Sequence, residues 1–268
     1  MNFEGQTAVV TGGTRGIGRA ITEAFLARGG SVVATYRSNT EAAGAFRAEL
    51  GDAGERLSLA SFDVADEDEV KAFWEGLDEA GTEVEVLVNN SGIRRDHVLA
   101  MMPSADWQAV LDTNLTGTFL MSKYGVLSML RRRYGRIVQI TSPAGDHGFE
   151  GQANYSASKA GQVALTRSLS KEVAKRGITV NCVSPGFVAT ELIADHCRVL
   201  DDPADSMAVP RRGTFVRRRA CALANGAEPL IGWSDTELRH RLLELELPAR
   251  GCQLDDQERW GTLSDAEI

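Results

Sequence analysis

The chain has little of what marks a disulfide-stapled, membrane-spanning or nucleic-acid-binding protein. Its four cysteines, Cys182, Cys197, Cys221 and Cys252, lie far apart with no CxxC pair. They read as reduced thiols of a cytoplasmic protein, with no disulfide frame and no metal site. No apolar run approaches the roughly 18 to 20 residues of a membrane span. Met1 to Gly5 show no basic n-region or apolar h-region, so no signal peptide is expected. Positive charge is in deficit, 29 Lys and Arg against 37 Asp and Glu, for a net charge of −8. That balance favours solubility and disfavours nucleic acid as a partner. No internal repeat is visible.

What is present is ordinary globular composition, 43% hydrophobic and 25% charged over 268 residues. This argues against extended disorder and fits a single α/β unit with a sizeable core. Strand-like runs at Thr7–Thr11, Ser31–Thr35, Leu57–Phe62, Val84–Val88, Arg136–Thr141 and Ile178–Val183 alternate with helical patterns. The helices are expected near 17–28, 40–50, 66–79, 104–132 and 152–175. Six strands alternating with helices predict right-handed crossovers and a doubly wound parallel sheet. After about Leu192 the pattern weakens, and a capping box at Ser234–Glu237 predicts one helix near 235–247.

Two places carry chemistry. Thr11-Gly12-Gly13-Thr14-Arg15-Gly16-Ile17-Gly18 joins the first strand to the first helix, the context a dinucleotide site requires. Gly12 allows the tight turn, Gly16 lets backbone approach a pyrophosphate, and Gly18 lets helix pack on sheet. The helix N-terminus then offers free N–H groups to phosphate. A glycine-rich turn that binds nothing is the plain alternative. An acid at the end of the second strand would select NAD, but Tyr36-Arg37-Ser38 stands there. Arg37 and Arg15 with the Ser38 hydroxyl suit a 2′-phosphate, so NADP(H) is favoured. Otherwise Arg37 is a solvated surface charge.

The second place is Ser142, Tyr155 and Lys159. Tyr155 and Lys159 are four apart on one helix face, where the ammonium would lower the phenol pKa towards working pH. Tyr155 then becomes a general acid or base, and Ser142 can hydrogen-bond a substrate carbonyl. Taken alone, a Tyr-x-x-x-Lys pair is more simply a surface helix pair.

Together these residues resemble the short-chain dehydrogenase/reductase family over roughly residues 3–192. Asp63-Val64 matches the pair that holds adenine, and Asn89-Asn90-Ser91-Gly92 the family's Asn-Asn-Ala-Gly. Asn114, Ser142, Tyr155 and Lys159 match its catalytic tetrad. Pro185-Gly186, with Val188 and Thr190, matches the loop under the nicotinamide. The resemblance implies a Rossmann-type, three-layer αβα fold and a homo-oligomer, dimer or tetramer. It implies hydride transfer from NADPH to a ketone, with Tyr155 as proton donor and Ser142 steadying the oxygen. It has Lys159 holding the nicotinamide ribose and Asn114 supporting a water that refills the proton.

Within the family the chain most resembles the 3-oxoacyl-(acyl carrier protein) reductases of fatty-acid or polyketide-type synthesis. The resembling stretches include Gly92-Ile93-Arg94-Arg95-Asp96 and Gly151-Gln152-Ala153-Asn154-Tyr155. That resemblance implies docking of an acidic carrier protein at Arg131, Arg132, Arg133 and Arg176. Reductases of free polyketides, steroids or sugars remain open, because substrate loops vary most. So does an inactive nucleotide-binding protein.

The family's closing helix and seventh strand find no match after Thr214. All five lysines precede residue 176, and arginines alone supply side-chain cations afterwards apart from histidine. This reads as a change of reading frame in the coding DNA or as a divergent tail. The expected organisation is a cofactor-binding and catalytic domain over 1–192 and an atypical segment over 193–268. The seventh strand is expected to be missing, which would leave a sheet edge unpaired.

Overall fold

The computed structural model describes residues 2–186. The readings made for 193–268, the helix near 235–247 and the missing seventh strand lie outside the described residues, as do Val188 and Thr190.

Six strands, β1 (Thr7–Val10), β2 (Ser31–Tyr36), β3 (Leu57–Ser61), β4 (Val86–Asn89), β5 (Gly135–Ile140) and β6 (Ile178–Val183), form one sheet. All pairings are parallel, in the order β3-β2-β1-β4-β5-β6. The strands read as near-continuous apolar runs because both faces of the sheet are covered. Period-two alternation sorts those faces. Ala8 and Val10 belong to the cluster with Ile21, Phe25 and Phe46, from α1 (Gly16–Leu26) and α2 (Thr40–Glu49). Val9, Leu87 and Ile137 face Val70, Trp74, Met121 and Met129, from α3 (Glu67–Glu79) and α5 (Gly117–Arg132). The result is three layers, αβα. Truncating a core residue such as Leu87 to Ala would cost about 2 to 5 kcal/mol.

In this strand order the chain reverses direction between β1 and β4. Ligands of open α/β sheets bind at that switch point, outside the strand C-termini.

One expectation fails instructively. The stretch 104–132 is not one helix. It is α4 (Ser104–Leu111), a π-turn over Asp112–Thr116, and α5. The N–H of Gly117 reaches back five residues to the Asp112 carbonyl. Asp112, Thr113, Asn114 and Thr116 are residues whose side chains compete for backbone groups and crowd a helix. Apolar periodicity bridges such a turn, so the sequence pattern alone hides it. A short helix, α6 (Ala144–His147), was also not expected. The last long helix, α7, runs over Ala153–Val173. Among the described residues no helix is long and apolar enough to cross a membrane.

Candidate active site

The glycine loop leaves β1 at the switch point. A Cβ on Gly18 would sit 2.1 Å from the Gly12 carbonyl oxygen, so α1 lies against the loop only because that Cβ is missing. The loop is fastened to the end of β4. Thr11 Oγ1 accepts the N–H groups of Asn90 and Ser91, both at 2.9 Å. Asn90 Nδ2 donates to the carbonyls of Thr11, at 2.9 Å, and Gly12, at 3.3 Å. The first turn of α1 has no side-chain cap and no acidic residue. Its N–H groups are therefore available to an anion, with the helix dipole in support. Thr14, Arg15, Gly16 and Ile17 ring this end, Arg15 and Gly16 exposed. The cradle fits the pyrophosphate of a dinucleotide.

At the end of β2, Arg37 is two-thirds exposed and pairs with Asp63, Nη2 to Oδ2 at 3.1 Å. Two residues read as separate contacts are thus neighbours. Ser38 is exposed beside Arg37. Val64 is buried with a methyl against Gly117, where an added Cβ would lie 2.7 Å away.

Asn114, in the π-turn, is fully buried. Its side chain pairs with the Ile93 backbone in both directions, accepting its N–H at 2.8 Å and donating to its carbonyl at 3.0 Å. It also donates to Ser158 on α7 at 3.2 Å. It thereby fixes the segment that runs from β4 through Gly92. The Asn114 carbonyl accepts the Thr118 hydroxyl and the Gln162 amide, each at 2.7 Å. Both lone pairs of that oxygen are used.

Ser142 follows β5 and sits across from Tyr155, near enough for its hydroxyl to act on the phenol. Gly145 makes this possible. A Cβ there would meet the backbone of Lys159 and Ala160 within 2.9 Å, so only glycine lets the Ser142–His147 turn rest on α7. Lys159 lies one turn beyond Tyr155, its ammonium 5.6 Å from the phenol ring centre. It donates to the Ile140 carbonyl at 2.8 Å and to Gln162 Oε1 at 3.2 Å. Pro185 and Gly186 follow β6 at the same edge of the sheet, Pro185 buried.

The electrostatics correct one expectation. On balance the Tyr155 pKa is not pulled down. Burial pushes its phenol above the ordinary value, opposed by the Ser142 hydroxyl and by Arg94. Burial also pushes Lys159 down, to about 8. Desolvation of the charged form dominates both. At neutral pH the phenol therefore keeps its proton, the state a general acid needs.

Arg131, Arg132, Arg133 and Arg176 precede β5 and β6. They lie at the N-terminal edge of the sheet, opposite Tyr155. Arg132 is half-buried and ion-paired to Glu85, and it donates to the Val84 carbonyl. That makes it a strut between α5 and β4, where the sequence reading has it as a docking group. Arg131 pairs with Asp78 and remains three-quarters exposed, and Arg133 donates to the Lys175 carbonyl.

Four polar residues near the tetrad have no role in the sequence reading. Arg94 and Asp96 are ion-paired and act on Tyr155, and Gln152 donates to Asp96 at 3.2 Å. Gln162, seven residues beyond Tyr155 on α7, is fully buried. The helical spacing is the signal that could have found it.

Comparisons with known proteins give the family and the fold. The short chain dehydrogenase family profile matches residues 6–198. The chain is 45% identical over 192 residues to the 3-oxoacyl-(acyl-carrier-protein) reductase FabG of Escherichia coli K12, covering 72% of this chain and 77% of that protein. It is 47% identical over 188 residues to the 3-oxoacyl-(acyl-carrier-protein) reductase of a Synechocystis species, covering 70% and 76%. Among solved structures, a candidate gluconate dehydrogenase from Agrobacterium tumefaciens superposes with a TM-score of 0.71 at 33% identity, covering 76% and 79%. With a glycine-loop cradle at the switch point and a half-buried phenol and a buried ammonium beside it, the chain belongs to the short-chain dehydrogenase family, oxidoreductases that interconvert CH–OH and C=O groups.

Proposed function

We propose that this protein reduces a ketone to a secondary alcohol with NADPH, and that the ketone is a 3-oxoacyl chain carried by acyl carrier protein. The observation that carries the reading is the half-buried phenol of Tyr155, set between Ser142 and the Lys159 helix turn at the switch point, where burial favours its protonated form. The relatives named for this reaction support the substrate, matched over about three-quarters of their length.

Gly12, Thr14, Arg15, Gly16, Ile17 and Gly18 would hold the pyrophosphate. Asp63 and Val64 would flank the adenine, and Asn90, Ser91, Gly92, Pro185, Gly186, Val188 and Thr190 the nicotinamide end. Arg37 and Ser38, with no acid at the end of β2, favour the 2′-phosphate form. When bound, the cofactor supplies the hydride. Ser142 orients the ketone oxygen, and Tyr155 gives that oxygen its proton as negative charge develops. The Lys159 ammonium stabilises the phenolate left behind. Asn114 keeps the loop at Gly92 in place.

Arg131, Arg133 and Arg176 would receive the acidic carrier. They sit at the far end of α7 from Tyr155, and the 21 residues of α7 span about 30 Å. An antiparallel pairing of protomers along this helix would bring one protomer's arginines to the other's site, so we propose a homo-oligomer. The division between the catalytic unit and the tail is proposed near residue 192, close to the end of the family match at 198.

The test is oxidation of NADPH by the purified full chain with an acetoacetyl thioester, free and carrier-bound, with NADH in parallel. Preference for NADPH and for the carrier-bound thioester is the expected result. Faster turnover of a free sugar, steroid or polyketide ketone would replace the substrate assignment.

A further inference from the structure

Gln162 has every polar atom engaged inside the catalytic helix layer. Its Nε2 donates to the Asn114 carbonyl at 2.7 Å and to Thr118 Oγ1 at 2.8 Å. Its Oε1 accepts from the Lys159 ammonium at 3.2 Å. Thr118 in turn donates to the same Asn114 carbonyl at 2.7 Å. The three groups close a small buried network between α7 and the π-turn. We propose that Gln162 is a positioning residue of the active site, its amide bridging the Lys159 ammonium to the Asn114 backbone and so setting where that ammonium points.

The argument is one of donors. An ammonium has three. Two of those on Lys159 go to the Ile140 carbonyl and to Gln162 Oε1. The third is left for the phenol side and a bound nucleotide. Without Gln162 the long side chain would have one anchor and could swing away from Tyr155. A glutamine carbonyl also favours the charged amine, against the burial that disfavours it. The charged and titratable groups facing the ammonium are few. Tyr155 lies on the same helix, and Cys182 on β6 acts to raise its pKa. Arg94 and Asp96 act on Tyr155 and oppose each other. The proposal rests on the catalytic reading of Lys159, but its test needs no substrate.

Lysine labelled with carbon-13 at Cε reports each amine by NMR. The chain has five lysines, and the other four, Lys71, Lys123, Lys171 and Lys175, are exposed. Lys159 is therefore recognisable by its low titration. In Gln162→Leu its titration should fall by about one pH unit, the worth of one hydrogen bond to a charged group. In Gln162→Glu, which keeps the acceptor and adds charge, it should rise. The kcat for thioester reduction should fall about tenfold in Gln162→Leu with its KM nearly unchanged. An unmoved Lys159 titration in a folded Gln162→Leu protein overturns the proposal. If that variant does not fold, an unmoved titration in Gln162→Glu does so. A shifted titration in a protein inactive on every thioester would keep Gln162 and discard the substrate assignment. Normal turnover with an unmoved titration would do the reverse.

Discussion

Lys159 donates to the carbonyl of Ile140, the last residue of β5, at 2.8 Å. The helix that carries Tyr155 is thus tied to the strand that presents Ser142. The same contact draws the ammonium out of water, and burial brings its pKa to about 8. Below that pH the folded and unfolded chains both hold the proton, and the buried charge costs folding about 3 kcal/mol. Between about pH 8 and the ordinary lysine value, the unfolded chain keeps a proton the folded chain has released. Stability from this residue therefore rises with pH across that window. Urea unfolding of wild type and Lys159→Met should show a difference that changes between pH 7 and pH 10 in favour of wild type. Ketone reduction should decline over the same rise, as the ammonium is lost.

Tyr155→Phe removes the proton donor and leaves the ring in place. Turnover should fall by about 10²- to 10⁴-fold, the usual worth of a general acid. Binding of NADPH, followed by fluorescence, should be nearly unchanged. Wild-type kcat in this variant would remove Tyr155 from the chemistry.

The Arg37–Asp63 pair sets a clear expectation for cofactor choice. Arg37→Ala should raise the KM for NADPH about tenfold and leave that for NADH nearly unchanged, the loss of charge-assisted hydrogen bonds to one phosphate. Equal effects on both cofactors would place Arg37 outside the 2′-phosphate site.

The arginines near residue 132 should divide in their behaviour. Arg132→Ala strands Glu85 in a partly buried setting and should cost about 3 kcal/mol in urea unfolding. Arg131→Ala breaks only an exposed pair and should cost less than about 1 kcal/mol. Conversely, Arg131→Glu should raise the KM for carrier-bound thioester and spare the free one, in a salt-dependent way.

Much of this molecule could be read from its residues. The strand run Ile178–Val183 is placed to the residue and the other strands within two residues at either end, because buried parallel strands are apolar throughout. The glycine loop was legible because close approach of helix to strand demands Gly18 and nothing larger. Three features were not legible. The π-turn leaves the apolar repeat continuous across Asp112–Thr116. The direction of the Tyr155 shift depends on burial, which helical spacing from Lys159 does not reveal. Arg132 reads as one of three adjacent cations, and only the fold turns it inward to Glu85.

The π-turn at Asp112–Thr116 carries one more residue than an α-helix would need to make the same passage. The wider turn absorbs that residue, so α4 and α5 keep nearly the phase that one continuous α-helix would give them. Deleting one residue there would let ordinary helical pairing resume with both helices still in register. The Asp106 carbonyl would go on accepting from Asn154 next to Tyr155, as it does at 3.4 Å. What the deletion would lose is the turn itself, and with it the aim of the Asn114 side chain at the Ile93 backbone.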